Sequence, residues 1–182
     1  MKKTLTIVTG TFNESENISE LLNRIIKLKP ILNKKYIVDM IIIDNNSTDD
    51  TQKILLKFAT RYKWIKLIFN NRNYGHLRSP YYAITTSVSY DTFYLASDLQ
   101  DPVENISSML DKFETEEIDI VLGRRYQKKT SFMDLFRIYF YKTFNFICDF
   151  PIIEYATGYG AYKYNIIQIL KKINEPYPFL RG

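Results

Sequence analysis

The chain has 182 residues, 46% of them hydrophobic, a formal net charge of +5 and a single cysteine, Cys148. That length and composition suit one domain with a real core, and the lone cysteine excludes an intramolecular disulfide or a cysteine-based zinc site and fits a reducing cytoplasm. The positive charge attracts anions, but Lys34, Lys35, Arg61, Arg124, Arg125, Lys128 and Lys129 are scattered rather than run together, which argues against nucleic acid and leaves a membrane surface or a phosphorylated small molecule.

Met1 to Thr4 leads straight into a strand-like segment without a cleavage site, so no secretory signal is expected. No stretch of about 18 uncharged apolar residues is present, so no bilayer span is expected either.

Leu5 to Thr9 is an apolar, β-branched run that predicts a buried strand. A polar loop follows, then Ile18, Leu21, Leu22, Ile25, Ile26 and Leu28 at helical spacing, with Asn13 and Glu16 placed as a capping box. Ile37 to Asp44 predicts the second strand, and Ser47 with Asp50 a cap for a helix carrying Ile54, Leu55, Phe58 and Ala59. Trp64 to Phe69 is a third strand, a helix follows Pro80, and Thr92 to Ala96 is a fourth strand. A helix over about Glu104 to Phe113 and a fifth strand, Ile118 to Leu122, complete the series. Alternation of this kind predicts an α/β fold, a mainly parallel sheet with helices on both faces, whose ligands gather beyond the carboxyl ends of the strands.

The polar clusters fall at those ends. Asp98 and Gln100, two positions apart on an extended chain, point the same way and offer oxygen donors of the kind magnesium or manganese prefers. Asp101 before Pro102 has the form of a helix N-cap with proline at the first helical position. Asp44 can accept hydrogen bonds from a base or ribose, or simply form the turn through Asn45, Asn46 and Ser47. Glu14 is suited to a helix start by the dipole alone. His76, the only histidine, reads first as an ordinary hydrogen-bonding residue. Arg124 and Arg125 either grip a diphosphate or belong to a solvated loop. The aromatic stretch 132–150 either packs on the sheet or a partner, or lies in a membrane interface.

Five segments taken together, Thr9 to Ile18, Ile43 to Asp49, Arg72 to His76, Ser97 to Pro102 and Thr157 to Tyr159, resemble the family 2 glycosyltransferases of GT-A fold. The likeness is strongest to the branch with dolichyl-phosphate mannosyltransferases and bacterial polyprenyl-phosphate glycosyltransferases. It implies an inverting transfer of a sugar from a nucleotide diphosphate donor to an acceptor, a polyprenyl phosphate or a saccharide hydroxyl. By that resemblance Gly10, Thr11, Phe12, Glu14, Asp44 and Asn45 hold the nucleotide sugar, and Asp98 and Gln100 hold a divalent metal, Mg2+ or Mn2+. Arg125 contacts phosphate, and Glu154 faces the acceptor. One domain is expected over 1–182, with a nucleotide-binding part to about 125 and an acceptor-side part from 126. The location implied is cytoplasmic, at the inner membrane face, with homo-oligomerisation open.

The chain departs from the family pattern where the first Asp of Asp-x-Asp is Ala96, where the usual Pro and Tyr of the first loop are Gly10 and Phe12, and where an Arg is replaced by Gly160. The end at Gly182 is earlier than in relatives and suggests a shortened chain. A catalytically silent nucleotide-binding or scaffold domain is therefore the competing expectation. A Rossmann-type oxidoreductase is disfavoured because no Gly-x-Gly-x-x-Gly follows the first strand.

Overall fold

The computed structural model describes residues 2–87, 90–115, 118–124 and 156–173, together with Phe136, Tyr139, Phe140, Thr143, Phe146 and Ile147. In chain order the elements are β1 (Lys3–Thr11), α1 (Ile18–Leu32), β2 (Tyr36–Asp44), α2 (Thr51–Arg61), β3 (Ile65–Phe69), α3 (Arg78–Ser87), β4 (Asp91–Ala96), α4 (Asn105–Thr115), β5 (Ile120–Arg124), β6 (Ala156–Tyr162) and α5 (Tyr164–Leu170). The strands form one sheet in the order β3-β2-β1-β4-β6-β5. Strands β3, β2, β1 and β4 run parallel, whereas β6 is antiparallel to both β4 and β5.

Both faces of the sheet are covered, which explains why the central strands are apolar almost without interruption. On one face Leu5, Ile7, Val38, Met40 and Ile42 join Leu21, Leu22 and Ile25 of α1, Leu55 of α2 and Ile106 and Leu110 of α4 in a single core. On the other face Val8, Ile41 and Ile43 pack with Ala83 and Ile84 of α3 and Ile167 of α5. The α/β architecture expected from the alternating elements is thus present.

Four local expectations are corrected. The Asn13–Glu16 capping box does not form: α1 begins after Asn17, without a side-chain cap, and Asn13 instead adopts φ 54° and bonds to another loop. Ser47 does not cap α2 but turns back onto Asp44. Helix α3 begins at Arg78, so Pro80 lies within its first turn, where its missing N–H takes nothing from the helix. Helix α4 begins at Asn105, a turn beyond Pro102, so Asp101 is not its N-cap.

Strand β6 was not expected from the sequence. Ala156–Tyr162 contains Gly158 and Gly160 and lacks a β-branched run, so its extended form comes from pairing on both sides. Gly160 faces Tyr94 and Leu122 across the ladders, and a Cβ there would lie 2.1 Å from the Val121 carbonyl oxygen. The family arginine replaced at this position would have no space in this strand pairing.

Among the described residues no helix is long and apolar enough to cross a membrane. Most of the stretch 132–150 lies outside the described residues; of those described, Phe136, Tyr139, Phe140, Phe146 and Ile147 are exposed.

Candidate functional site

Strand β1 connects outward to β2 and β3 on one side of the sheet, while β4 lies on its other side. The carboxyl ends of β1 and β4 therefore flank a topological switch point, where two connections diverge and leave a crevice. A cleft of about 520 Å3 opens there. Gly10, Thr11, Phe12 and Glu14 line it from β1 and its following loop, Asn45 from the loop after β2, Asn73 to Leu77 without Tyr74 from the β3–α3 loop, Ala96, Ser97, Asp98 and Asp101 from β4 and its loop, and Thr157 to Tyr159 from β6.

The loop after β1 is fastened to the loop after β2 by several hydrogen bonds. The Asn13 and Glu14 amides donate to Ser47 Oγ and Thr51 Oγ1, each at 2.9 Å. The Ser15 amide donates to Asp49 Oδ2 at 3.1 Å, and the Thr48 amide to Asn13 Oδ1 at 2.8 Å. Asp44 anchors this arrangement from beneath: fully buried, it accepts from the Ser47 amide at 2.9 Å, Ser47 Oγ at 2.5 Å and Gln52 Nε2 at 2.7 Å. Three donors satisfy a carboxylate that would otherwise be costly to bury. Asp44 consequently lies behind the cleft wall rather than on it.

Asn45 makes the corresponding connection on the other side. Its Oδ1 accepts from Asn70 Nδ2 at 3.0 Å, the Tyr74 amide at 2.9 Å and Ser79 Oγ at 2.7 Å, while its Nδ2 donates to Asn73 Oδ1 at 2.6 Å. One buried side chain thus joins the ends of β2 and β3, the loop that follows and the first turn of α3. Asn73 Oδ1 also accepts from the Gly75 amide at 2.7 Å, and Gly75 takes φ 88°, a turn open to glycine, before His76 reaches the cleft.

At the end of β4, Ser97 Oγ donates to the Gly10 carbonyl at 3.0 Å, holding the two strand ends together. The Gln100 amide donates to Asp98 Oδ1 at 3.1 Å, with Leu99 at φ 59° between them. That left-handed residue breaks the extended geometry assumed from the sequence. Asp98 lines the cleft and so does Asp101, whereas Gln100 is exposed and is not part of the lining. Behind Asp101, Tyr159 Oη donates to the Pro102 carbonyl at 2.7 Å; burial, reinforced by Asp101 and Glu104, pushes the Tyr159 phenol above its ordinary pKa.

Asn13, Asn46 and Leu99 are the non-glycine residues with positive φ among those described, and each lies in a loop after β1, β2 or β4. Local backbone strain is concentrated around the cleft, a placement common at functional sites. Gly10 has a steric reason: a Cβ on it would lie 2.9 Å from Pro80 Cγ, so α3 packs where a side chain would project.

Of the residues expected from the sequence to form the site, Gly10, Thr11, Phe12, Glu14, Asn45 and Asp98 share the cleft. Arg125 and Glu154 lie outside the described residues. Asn73, His76, Ser79 and Asp101 also line the cleft without having been assigned to it. Asn70, Asn71 and Asn73, closely spaced just past a strand, were the available signal for a hydrogen-bonded loop.

A profile described as Glycosyl transferase family 2 matches residues 6–170. The chain belongs to that family. Among its relatives, an undecaprenyl-phosphate 4-deoxy-4-formamido-L-arabinose transferase of Photorhabdus laumondii is 31% identical over 189 residues, covering 98% of this chain and 54% of the relative. A prophage bactoprenol glucosyl transferase homolog of Escherichia coli is 23% identical over 180 residues, covering 98% of this chain and 58% of the relative. This family 2 chain thus spans little more than half the length of these curated relatives.

Its fold is also that of a mannosyltransferase, PcManGT, from Pyrobaculum calidifontis, solved with GDP-Man and Mn2+. The TM-score is 0.64 at 17% identity, over 93% of this chain and 47% of that one. Staphylococcus aureus TarS 1-349 in complex with UDP-GlcNAc matches at TM-score 0.56 and 19% identity, over 70% of this chain and 36% of that one. These are GT-A glycosyltransferase neighbours.

Proposed function

We propose that this chain transfers a sugar from a nucleotide diphosphate donor to a polyprenyl phosphate, with inversion at the anomeric carbon and with help from Mg2+ or Mn2+. The observation carrying the proposal is the cleft at the β1/β4 switch point with Asp98 and Asp101 in its wall. Family membership and relatives named as undecaprenyl-phosphate and bactoprenol sugar transferases support the donor and acceptor classes.

A divalent cation fits the chemistry of this wall. Among its described residues, Glu14, Asp98 and Asp101 are acidic and His76 alone is basic, so an unaccompanied diphosphate meets mostly like charge. Asp98 and Asp101 would hold the ion, with Gln100 adjoining them on the same connection. The described residues form no cluster of three or more His, Cys, Asp or Glu ligands, and a hard ion with few protein ligands keeps positions for water and phosphate. When bound, the ion supplies charge neutralisation for the departing nucleoside diphosphate.

The chain's own groups do the remaining work. Phe12, exposed at the cleft, offers a ring for stacking on the base, and Glu14 and Asn45 offer polar contacts to the nucleoside. Asp44 acts indirectly by fixing Ser47 and through it the Asn13–Glu14 backbone. Arg125 would contact phosphate, and Glu154 would serve as base if the acceptor is a saccharide hydroxyl; an anionic lipid phosphate needs no strong base. The part beyond residue 125 would receive the acceptor at the inner face of a membrane, with 132–150 as a peripheral contact. Homo-oligomerisation is compatible with this arrangement.

Thermal-shift screening of UDP-, GDP- and other nucleotide sugars with and without Mn2+ tests the reading. Metal-dependent stabilisation by one nucleotide is expected, and absence of stabilisation by any nucleoside diphosphate would sink it. Ala96, a methyl group in the cleft where the family has an aspartate, favours a second reading, a catalytically silent nucleotide-binding domain. Binding without sugar transfer or donor hydrolysis would identify that case.

A further inference from the structure

We propose that His76 is a phosphate-binding residue of the cleft, donating an imidazole N–H to a non-bridging phosphate oxygen of a substrate. The assignment rests on the cleft being a nucleotide-sugar site.

Three observations lead to it. His76 is the only basic side chain among the described residues lining a cleft that also contains Glu14, Asp98 and Asp101. An anionic substrate therefore meets one described basic side chain there, and an imidazole ring always carries an N–H to donate.

The chain around His76 is held in place. Asn73 Oδ1 accepts from Asn45 Nδ2 at 2.6 Å and from the Gly75 amide at 2.7 Å, while the Tyr74 amide donates to Asn45 Oδ1 at 2.9 Å. Gly75 at φ 88° then directs residue 76 to the cleft. Asn45 and Asn73 bond to one another, to the loop backbone and, from Asn45, to the Asn70 and Ser79 side chains, yet among the described residues no group hydrogen-bonds to the His76 ring. The result is an ordered support carrying an exposed donor that remains available.

His76 also stands two residues before Arg78, the first residue of α3. The positive end of the helix dipole reinforces anion binding at that point. A charge-assisted contact between an imidazole and phosphate is stronger than an ordinary neutral hydrogen bond.

The phosphate can belong to the donor diphosphate or to the polyprenyl phosphate acceptor, and one set of variants separates them. Affinities of UDP, GDP, UMP and GMP with Mn2+ are measured by calorimetry for the wild-type chain, His76→Ala and His76→Lys, alongside the KM for polyprenyl phosphate. If the donor is the source, His76→Ala weakens the preferred nucleoside diphosphate roughly 10-fold, leaves the monophosphate within about 2-fold, and His76→Lys restores binding. If the acceptor is the source, diphosphate affinity is unchanged and the KM for polyprenyl phosphate rises roughly 10-fold at constant kcat. A wild-type chain that binds nucleotide as tightly as His76→Ala, with the same KM for acceptor, overturns this assignment alone. A wild-type chain that binds no nucleotide overturns the nucleotide-sugar reading and this assignment together. Because His76 is exposed, the variants are expected to melt at the wild-type temperature, which separates lost contact from lost fold.

Discussion

Asn45 Nδ2 donates to Asn73 Oδ1 at 2.6 Å while Asn45 Oδ1 takes Ser79 Oγ at 2.7 Å, so the carboxyl end of β2 holds both the β3–α3 loop and the start of α3. Asn45→Ala leaves Asn70, the Tyr74 amide and the buried Ser79 hydroxyl without a shared acceptor in a part-buried setting. Loss of about 2 to 3 kcal/mol is expected by urea unfolding, since stranded buried donors each cost about 1 to 3 kcal/mol before relaxation. A loss below about 0.5 kcal/mol, the range of ordinary surface changes, would show that the loop does not depend on this residue.

Asp98 and Asp101 line the same cleft and are expected to act through charge. Asp98→Ala and Asp101→Ala should keep the wild-type circular dichroism but lose the Mn2+-dependent thermal shift with nucleotide. If the chain is active, Asp98→Ala should lower transfer by roughly 100- to 1000-fold, the usual effect of removing one preorganised electrostatic contact. Unchanged metal dependence in both variants would remove these carboxylates from the site.

Gly10 meets Pro80 at the junction of β1 and α3, where an added Cβ would lie 2.9 Å from Pro80 Cγ. The proline ring has little freedom to retreat, so Gly10→Ala should destabilise by about 1 to 3 kcal/mol. Pro80→Ala in the same chain should recover part of that loss, because the two residues share one space. Equal destabilisation with and without Pro80 would place the strain elsewhere.

Asp49 joins the two loops at the cleft and should contribute an acid-sensitive part of their stability. Burial alone would raise its pKa, but hydrogen bonds from Thr51 and Ser15 outweigh this and lower it to about 2. A carboxylate lowered by folding stabilises the native state above its unfolded pKa of about 3.9 and loses that effect as pH falls through the folded value. The difference in melting temperature between wild type and Asp49→Ala should therefore be full at pH 6 and shrink between about pH 4 and pH 2. A difference constant over that window would mean that Asp49 contributes nothing as an anion.

Asn46 is exposed and sits at φ 65° in the β2–α2 loop. Glycine enters that region without a Cβ penalty, so Asn46→Gly should be neutral or stabilising by up to about 1 kcal/mol in thermal unfolding. Marked destabilisation would show that the Asn46 side chain holds the loop.

Periodicity exposed the strands that are buried on both faces, because Ile41, Ile42 and Ile43 cannot be confused with a half-exposed segment. It missed β6, where Gly158 and Gly160 carry no apolar signal and only pairing with β4 and β5 imposes extension. The caps failed for a related reason. Asn13 and Ser47 have ordinary capping chemistry, but each found a partner in another loop, and Leu99 turned the Asp98–Gln100 segment out of the extended form that would align both side chains.

The alternating architecture, the polar clusters at strand ends and the family pattern were legible from residue order and local hydrophobicity. Which members of those clusters face the cleft followed from three-dimensional packing. It turned Asp44 inward to Ser47 and Gln52, brought Asp101 and His76 to the wall, and made Asn45 a junction between three segments. The physical reason is that a polar side chain satisfies its hydrogen bonds with whatever lies nearest in space, and nearness across loops is set by strand order rather than by separation along the chain.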